Sequence, residues 1–197
     1  MLQYVAMALA QNKKVDGIQY AHTCIEPYRD SVVNLDKEFQ PKLIKKTMQV
    51  PTVGLTKYSH CAHNPSPPLT MQEVPITMFD QLEPGDVLFI DSSHVFAPYG
   101  DVFFQLIYVL PTLKPGVLVH IHDIFLPYSY DHVRWKYNER KGVYMEQYVV
   151  AAFLHGNPQW RIVWTDVLMY KKHPKLWDDL DLHDPQLAGT FWIEKIQ

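Results

Sequence analysis

Glycine is scarce and scattered in this chain of 197 residues, eight in all. None falls in the G-x-G-x-x-G or G-x-x-x-x-G-K-[ST] spacing that lets backbone amides approach a phosphate. Dinucleotide-dehydrogenase and P-loop ATPase chemistry lose their main support. G-x-S-x-G is missing too, and with it the nucleophile elbow of an α/β-hydrolase. The two cysteines, Cys24 and Cys61, have neither metal nor redox spacing. Cys24 lies in an apolar strand pattern and reads as a core thiol, which suits a reducing cytoplasm. No apolar run reaches the ~20 residues that span a bilayer. The opening MLQYVAMALAQNKK has neither the basic start nor the cleavage site of a signal peptide. Charge of one sign is lacking as well: a net −3 with 20% charged residues gives no field to draw a phosphate backbone. Nucleic acid and membrane are therefore not expected partners.

What is present is apolar and ordered around one stretch. Hydrophobic residues make up 47% of the chain, enough for one soluble domain over residues 1–197 with a sizeable core. Between Leu82 and Asp123, Pro84-Gly85 and Pro115-Gly116 each precede an apolar run, Val87 to Ile90 and Val117 to Val119. Proline presets φ for the second turn residue and glycine takes φ > 0 at the third, so each pair starts a strand. Asp101 to Pro111 has the length and apolar content of a crossover helix, making a βαβ unit with parallel strands. Ligands of open α/β sheets bind outside the carboxyl ends of such strands. Asp91, His94, His122 and Asp123 arrive at that edge together.

Around this unit the chain predicts a helix over residues 2–12, already in progress at Met1 with no capping residue before it. A strand from Ile18 to Ile25 ends in Glu26-Pro27. Ser31 to Phe39 predicts a helix, and Lys42 to Lys46 a basic, solvated face. Residues 51–68 read as a surface loop, since His60, Cys61 and His63 are too few for a structural zinc site. Leu69 to Val74 predicts a short strand and then a helical turn through Phe79. Beyond Asp123 come an aromatic loop to Tyr130, a charged segment (131–140) and an amphipathic helix over 143–155. Two final strands, 159–164 and 189–195, are separated by a polar, proline-bearing stretch.

Three readings meet at Asp91, His94, His120, His122 and Asp123. Acids can cap helices and histidines can fill polar gaps. Carboxylates with imidazole can instead hold Mg²⁺, Mn²⁺ or Zn²⁺. The third is acid–base catalysis by His94, whose ordinary pKa near 6.5 lets it take a proton at physiological pH. His120 and His122, two apart on a strand, share a face, with His120 one pleat deeper and structural in role.

The wording FIDSSHV, Gly100-Asp101-Val102, LPTLKPGVLVHIHDIFLPYSY and EQYVVAAFL resembles class I S-adenosylmethionine-dependent methyltransferases, in a branch grouped with bacterial and natural-product O-methyltransferases. The resemblance runs from about Ala21 to the end. It implies an α/β fold: a Rossmann-like, mostly parallel sheet with helices on both faces and a reversed last strand at Gly189 to Lys195. It implies that Glu26 binds the ribose hydroxyls of S-adenosylmethionine, that Gln72 and Glu73 lie near its adenine, and that Asp91 borders the cofactor. It also implies His94 as base, and Asp91, His122 and Asp123 as holders of Mg²⁺ or another divalent cation. The pair here is His-Asp where relatives have two acids or Asp-Asn. Such domains open with a strand and a glycine-rich turn leading into a helix. This chain starts within that helix, so the first central strand is expected to be absent.

The expected activity is methyl transfer to a hydroxyl of a small molecule, with His94 and Asp91 catalytic. Two rivals stand beside it. One is a non-catalytic remnant or interaction protein of the same fold. The other is a metal-dependent hydrolase in which His120, His122 and Asp123 activate water.

Overall fold

Both Pro-Gly pairs form the turns their residues dictate. Gly85 and Gly116 hold φ of 91° and 89°, and the two turns are stitched together by the Gly85 N–H donating to the Gly116 carbonyl at 2.8 Å. A Cβ on Gly116 would lie 2.7 Å from Cβ of Pro84, so this crossing admits only glycine. The computed structural model describes residues 23–25, 44–48, 74–130, 144–179 and 189–197.

From the paired turns run β3 (Val87–Ile90) and β4 (Leu118–Ile121), parallel, with Val87 opposite Leu118 and Ile90 opposite Ile121. Their start is level, so their ends are level. Upstream, β1 (Thr23–Ile25) pairs in parallel with β2 (Ile44–Met48), and a 3₁₀ turn (Ile76–Gln81) leads toward β3. β1 lies within the strand expected up to Ile25. β2 is a strand not anticipated from sequence, where Lys42 to Lys46 reads only as a basic patch. Its Ile-Lys-Lys-Thr-Met sequence carries no apolar alternation, and backbone pairing with β1 decides the conformation.

The crossover between β3 and β4 is helix α1, in three connected pieces: Asp101–Phe104, a π-wound Gln105–Val109 and Leu110–Thr112. Pro111 has no N–H to give to the turn before it, and a widened turn is one way a helix absorbs that loss. After β4 come α2 (Glu146–Leu154), β5 (Trp160–Thr165), α3 (Asp166–Lys172), α4 (Pro174–Asp179) and β6 (Phe191–Lys195). The helices α3 and α4 occupy part of what the sequence suggested was only a polar stretch. Asp166 in the first turn of α3 and Lys171 and Lys172 in its last complement the helix dipole, and Pro174 opens α4.

The second sheet has the order β3-β4-β6-β5. β6 is antiparallel to both neighbours, the reversed last strand that was expected. Leu88, Ile90, Val119, Ile121, Phe191 and Ile193 form its buried face, against Val102, Leu106, Val109 and Leu110 of α1 and Val150 of α2. Each such side chain taken fully from water contributes roughly 1.5–3 kcal/mol. The opposite face carries Phe89, His120 and Trp192, one from each of three adjacent strands in register. This is an α/β fold with a mixed four-stranded sheet, of the Rossmann-like type. No helix among the described residues is long and apolar enough to cross a membrane.

Candidate active site

The chain leaves β3 through Asp91-Ser92-Ser93-His94, and each polar residue is tied down. Asp101, at the first turn of α1, accepts the Ser93 N–H at 2.8 Å and the Ser93 hydroxyl at 2.6 Å. Its Oδ1 also takes the Val102 N–H at 2.8 Å. Burial raises the Asp101 pKa, and these hydrogen bonds offset only part of the rise. Ser92 Oγ accepts the His94 N–H at 3.1 Å and donates to Oε1 of Glu146 at 2.7 Å. His94 Nδ1 lies 2.6 Å from Oε2 of the same carboxylate. The loop is thus a rigid platform that delivers one imidazole.

The other ring nitrogen, Nε2 of His94, stands 3.7 Å from Asp91 Oδ1 and 3.5 Å from Asp123 Oδ2. Asp123 follows β4, which the register with β3 places alongside: the His122 N–H donates to the Ile90 carbonyl at 2.8 Å. His122 Nδ1 approaches Asp123 Oδ1 at 3.2 Å and Asp91 Oδ1 at 3.7 Å, at ion-pair range but without hydrogen-bond geometry. The side chains of Asp91, Asp123 and His122 keep 33%, 27% and 25% of their exposure against 10% for His94. The cluster is therefore a partly open rim of carboxylates over a nearly closed imidazole. Asp91, His94, His122 and Asp123 do come together as the strand ends predicted.

Electrostatics follow from this packing. Burial by itself would lower the His94 pKa, but the hydrogen bond and charge of Glu146, then Asp123 and Asp91, hold it above 6.5. His122 is likewise held up by Asp123 and Asp91 against burial. Burial works to raise Asp123, yet the facing histidines keep its pKa below the ordinary carboxylate value. His120 is different. It is buried between Phe89 (ring centroids 4.6 Å apart) and Trp192 (4.8 Å, stacked), and burial followed by the charge of His122 pushes it down to about 4. It packs the sheet face, as its deeper position suggested, and is a poor member for a water-activating trio with His122 and Asp123.

Glu146 was not anticipated from sequence. An acid in the first turn of the otherwise apolar EQYVVAAFL was the available signal, and its contact with His94 lies 52 positions away along the chain. The aromatic loop after Asp123 serves packing: Phe125 and Tyr130 are buried, edge to face at 5.8 Å. Tyr144 stands edge-on to His94 at 5.4 Å. Glu26, Gln72 and Glu73, implied for the cofactor, lie outside the described residues.

A divalent cation needs donors converging on one point ~2.1 Å from each. Among the described residues no group of three or more His, Cys, Asp or Glu side chains does so. Asp91, His122 and Asp123 are neighbours without forming such a cage.

A family model described as a methyltransferase domain matches residues 1–124, which includes both strand ends and every rim residue. No curated protein and no solved structure matches the chain.

Proposed function

The chain belongs to the class I methyltransferase family, and on that premise we propose that it transfers a methyl group from S-adenosylmethionine to a hydroxyl of a small molecule. One observation carries this reading. His94 presents Nε2 toward Asp91 and Asp123, at 3.7 and 3.5 Å, on a rim that opens to solvent. A hydroxyl is a weak nucleophile until it loses its proton, and an imidazole is the side chain that can take one near neutral pH.

When bound, S-adenosylmethionine supplies an electrophilic methyl, whose sulfur keeps the bonding pair as the carbon departs. The protein's share is proton management. His94 Nε2 accepts the hydroxyl proton, the pair left on oxygen forms the new O–C bond, and Asp91 and Asp123 stabilise the resulting imidazolium. The rigid Ser92–Ser93 platform holds the base in place throughout. Glu26 on the ribose, with Gln72 and Glu73 near the adenine, completes the proposal by resemblance. A reducing cytoplasm is the setting it assumes, because Cys24 and Cys61 carry no pairing pattern.

Calorimetry with S-adenosylhomocysteine, alongside transfer to a panel of small hydroxyl compounds, tests it. Wild type is expected to bind in the micromolar range and to transfer. His94→Ala should bind within about 3-fold of wild type yet transfer roughly 10²-fold more slowly, the usual weight of a general base. Undiminished transfer by that variant removes His94 from the mechanism. A folded wild type that binds nothing favours the non-catalytic interaction protein.

A further inference from the structure

One neighbour grips His94 at both its ring and its backbone. Oε2 of Glu146 meets Nδ1 at 2.6 Å. The N–H groups of Met145 and Glu146 donate to the His94 carbonyl at 2.9 and 3.2 Å. The second carboxylate oxygen is held in turn by the Ser92 hydroxyl at 2.7 Å. Glu146 is 1% exposed, so water does not compete for either oxygen.

A buried carboxylate is costly unless it is hydrogen-bonded, and an apolar residue of similar volume would serve packing equally well here. What a carboxylate does that an apolar side chain cannot is choose a tautomer. It accepts hydrogen bonds and cannot donate one, so the ring nitrogen it faces must carry the hydrogen. A neutral imidazole then has its lone pair on the opposite nitrogen, the one between Asp91 and Asp123. The other tautomer would set a hydrogen where the acceptor's proton has to arrive.

We propose that Glu146 is the positioning residue of His94, fixing the ring as its Nδ1–H tautomer and aiming the Nε2 lone pair at the acceptor hydroxyl. The catalytic consequence rests on the methyl-transfer reading; the tautomer does not. Glu146 touches no substrate in this scheme and acts through His94 alone. Its place in the first turn of α2 suits it twice, since the helix N-terminus favours a negative charge and supplies the amides that hold the His94 carbonyl. An imidazole oriented this way loses little motion on reaching the transition state.

The test is nitrogen-15 NMR of the full chain with labelled histidine, at alkaline pH where the ring is neutral, the His94 signals being assigned by their loss in His94→Asn. Wild type should show hydrogen on Nδ1. In Glu146→Gln the side-chain NH₂ can turn toward Nδ1, so the population should move toward Nε2–H. Transfer should then fall about 10²-fold or more, with S-adenosylhomocysteine affinity within about 3-fold. Hydrogen on Nε2 in wild type overturns the proposal, as does an unchanged tautomer in the folded variant. The wild-type spectrum decides the point even where Glu146→Gln does not fold. If the tautomer shifts as expected and wild type transfers no methyl group to any hydroxyl tested, the positioning stands and the methyl-transfer reading fails.

Discussion

His94 and Asp123 face each other across two strand ends, Nε2 to Oδ2 at 3.5 Å, and both hold left-handed backbone with φ of 59° and 56°. Histidine and aspartate tolerate that region better than most residues, though it still costs them roughly 1–2 kcal/mol. Each is held there from outside its own strand. The His94 carbonyl is bound by the start of α2, and the Ile124 N–H next to Asp123 donates to the Gly189 carbonyl at 3.1 Å. Strain of this kind, sustained by surrounding bonds, is how a fold aims side chains that carry chemistry.

This pairing predicts the pH dependence of transfer. A base must be neutral to accept a proton, and His94 is held above 6.5 chiefly by Glu146 and then by Asp123 and Asp91, against burial. The acidic limb of kcat/KM should therefore have its midpoint above pH 6.5. Asp123→Asn removes one of the charges holding it up, so its limb should move to lower pH. A pH–rate profile of both proteins checks the direction.

Asp101 anchors the base from the other side. Its removal in Asp101→Ala leaves the N–H groups of Ser93 and Val102 without their acceptor in a buried place. Urea unfolding should show a loss of about 2–3 kcal/mol. Transfer should fall as well, because Ser93 is next to His94.

His120 predicts an acid sensitivity unrelated to catalysis. Its folded pKa is about 4 against 6.5 for the free side chain. Between those values the unfolded chain binds a proton that the folded one refuses. Stability should thus fall as pH drops from 6.5 toward 4, by about 3 kcal/mol if this group acted alone. His120→Phe keeps an aromatic ring between Phe89 and Trp192 and should flatten that slope, as measured by denaturation midpoints across the range.

Gly189 should be sensitive to a single methyl group. A Cβ there would meet Asp123 Oδ1 at 3.0 Å, its Cα at 3.1 Å and the Phe125 ring at 3.2 Å. Gly189→Ala is expected to cost about 1–3 kcal/mol by overpacking and to lower kcat by pushing Asp123 away from His94. An equally stable, equally active variant would show that Asp123 has room to move.

Much of this arrangement was legible because it is local. Each Pro-Gly pair fixes a turn within a few residues, and the strand after it delivers Asp91 or Asp123 to the same edge without long-range information. The reversed strand from Phe191 to Lys195 carries its own alternation. The misses have the opposite character. At Ile44–Met48 two adjacent lysines masked a strand that becomes evident only when paired with β1. Glu146 looks like an ordinary first-turn acid until the fold brings it to a loop 52 residues earlier. The helices over Asp166–Lys172 and Pro174–Asp179 were obscured by charges that in fact sit at favourable ends of the first of them.

The strand order gives the ribosome a particular task. β4 and β5 emerge first and never touch as strands, because the place between them belongs to β6. Until Phe191 to Lys195 is synthesised, both present unpaired backbone edges toward each other, open to any passing strand. The Ile124 amide beside Asp123 meanwhile waits for the Gly189 carbonyl, which arrives just ahead of β6. A nascent chain stalled before residue 189 would carry every rim residue with one wall of the rim unbuilt, so vectorial synthesis completes the site only after its side chains have all emerged.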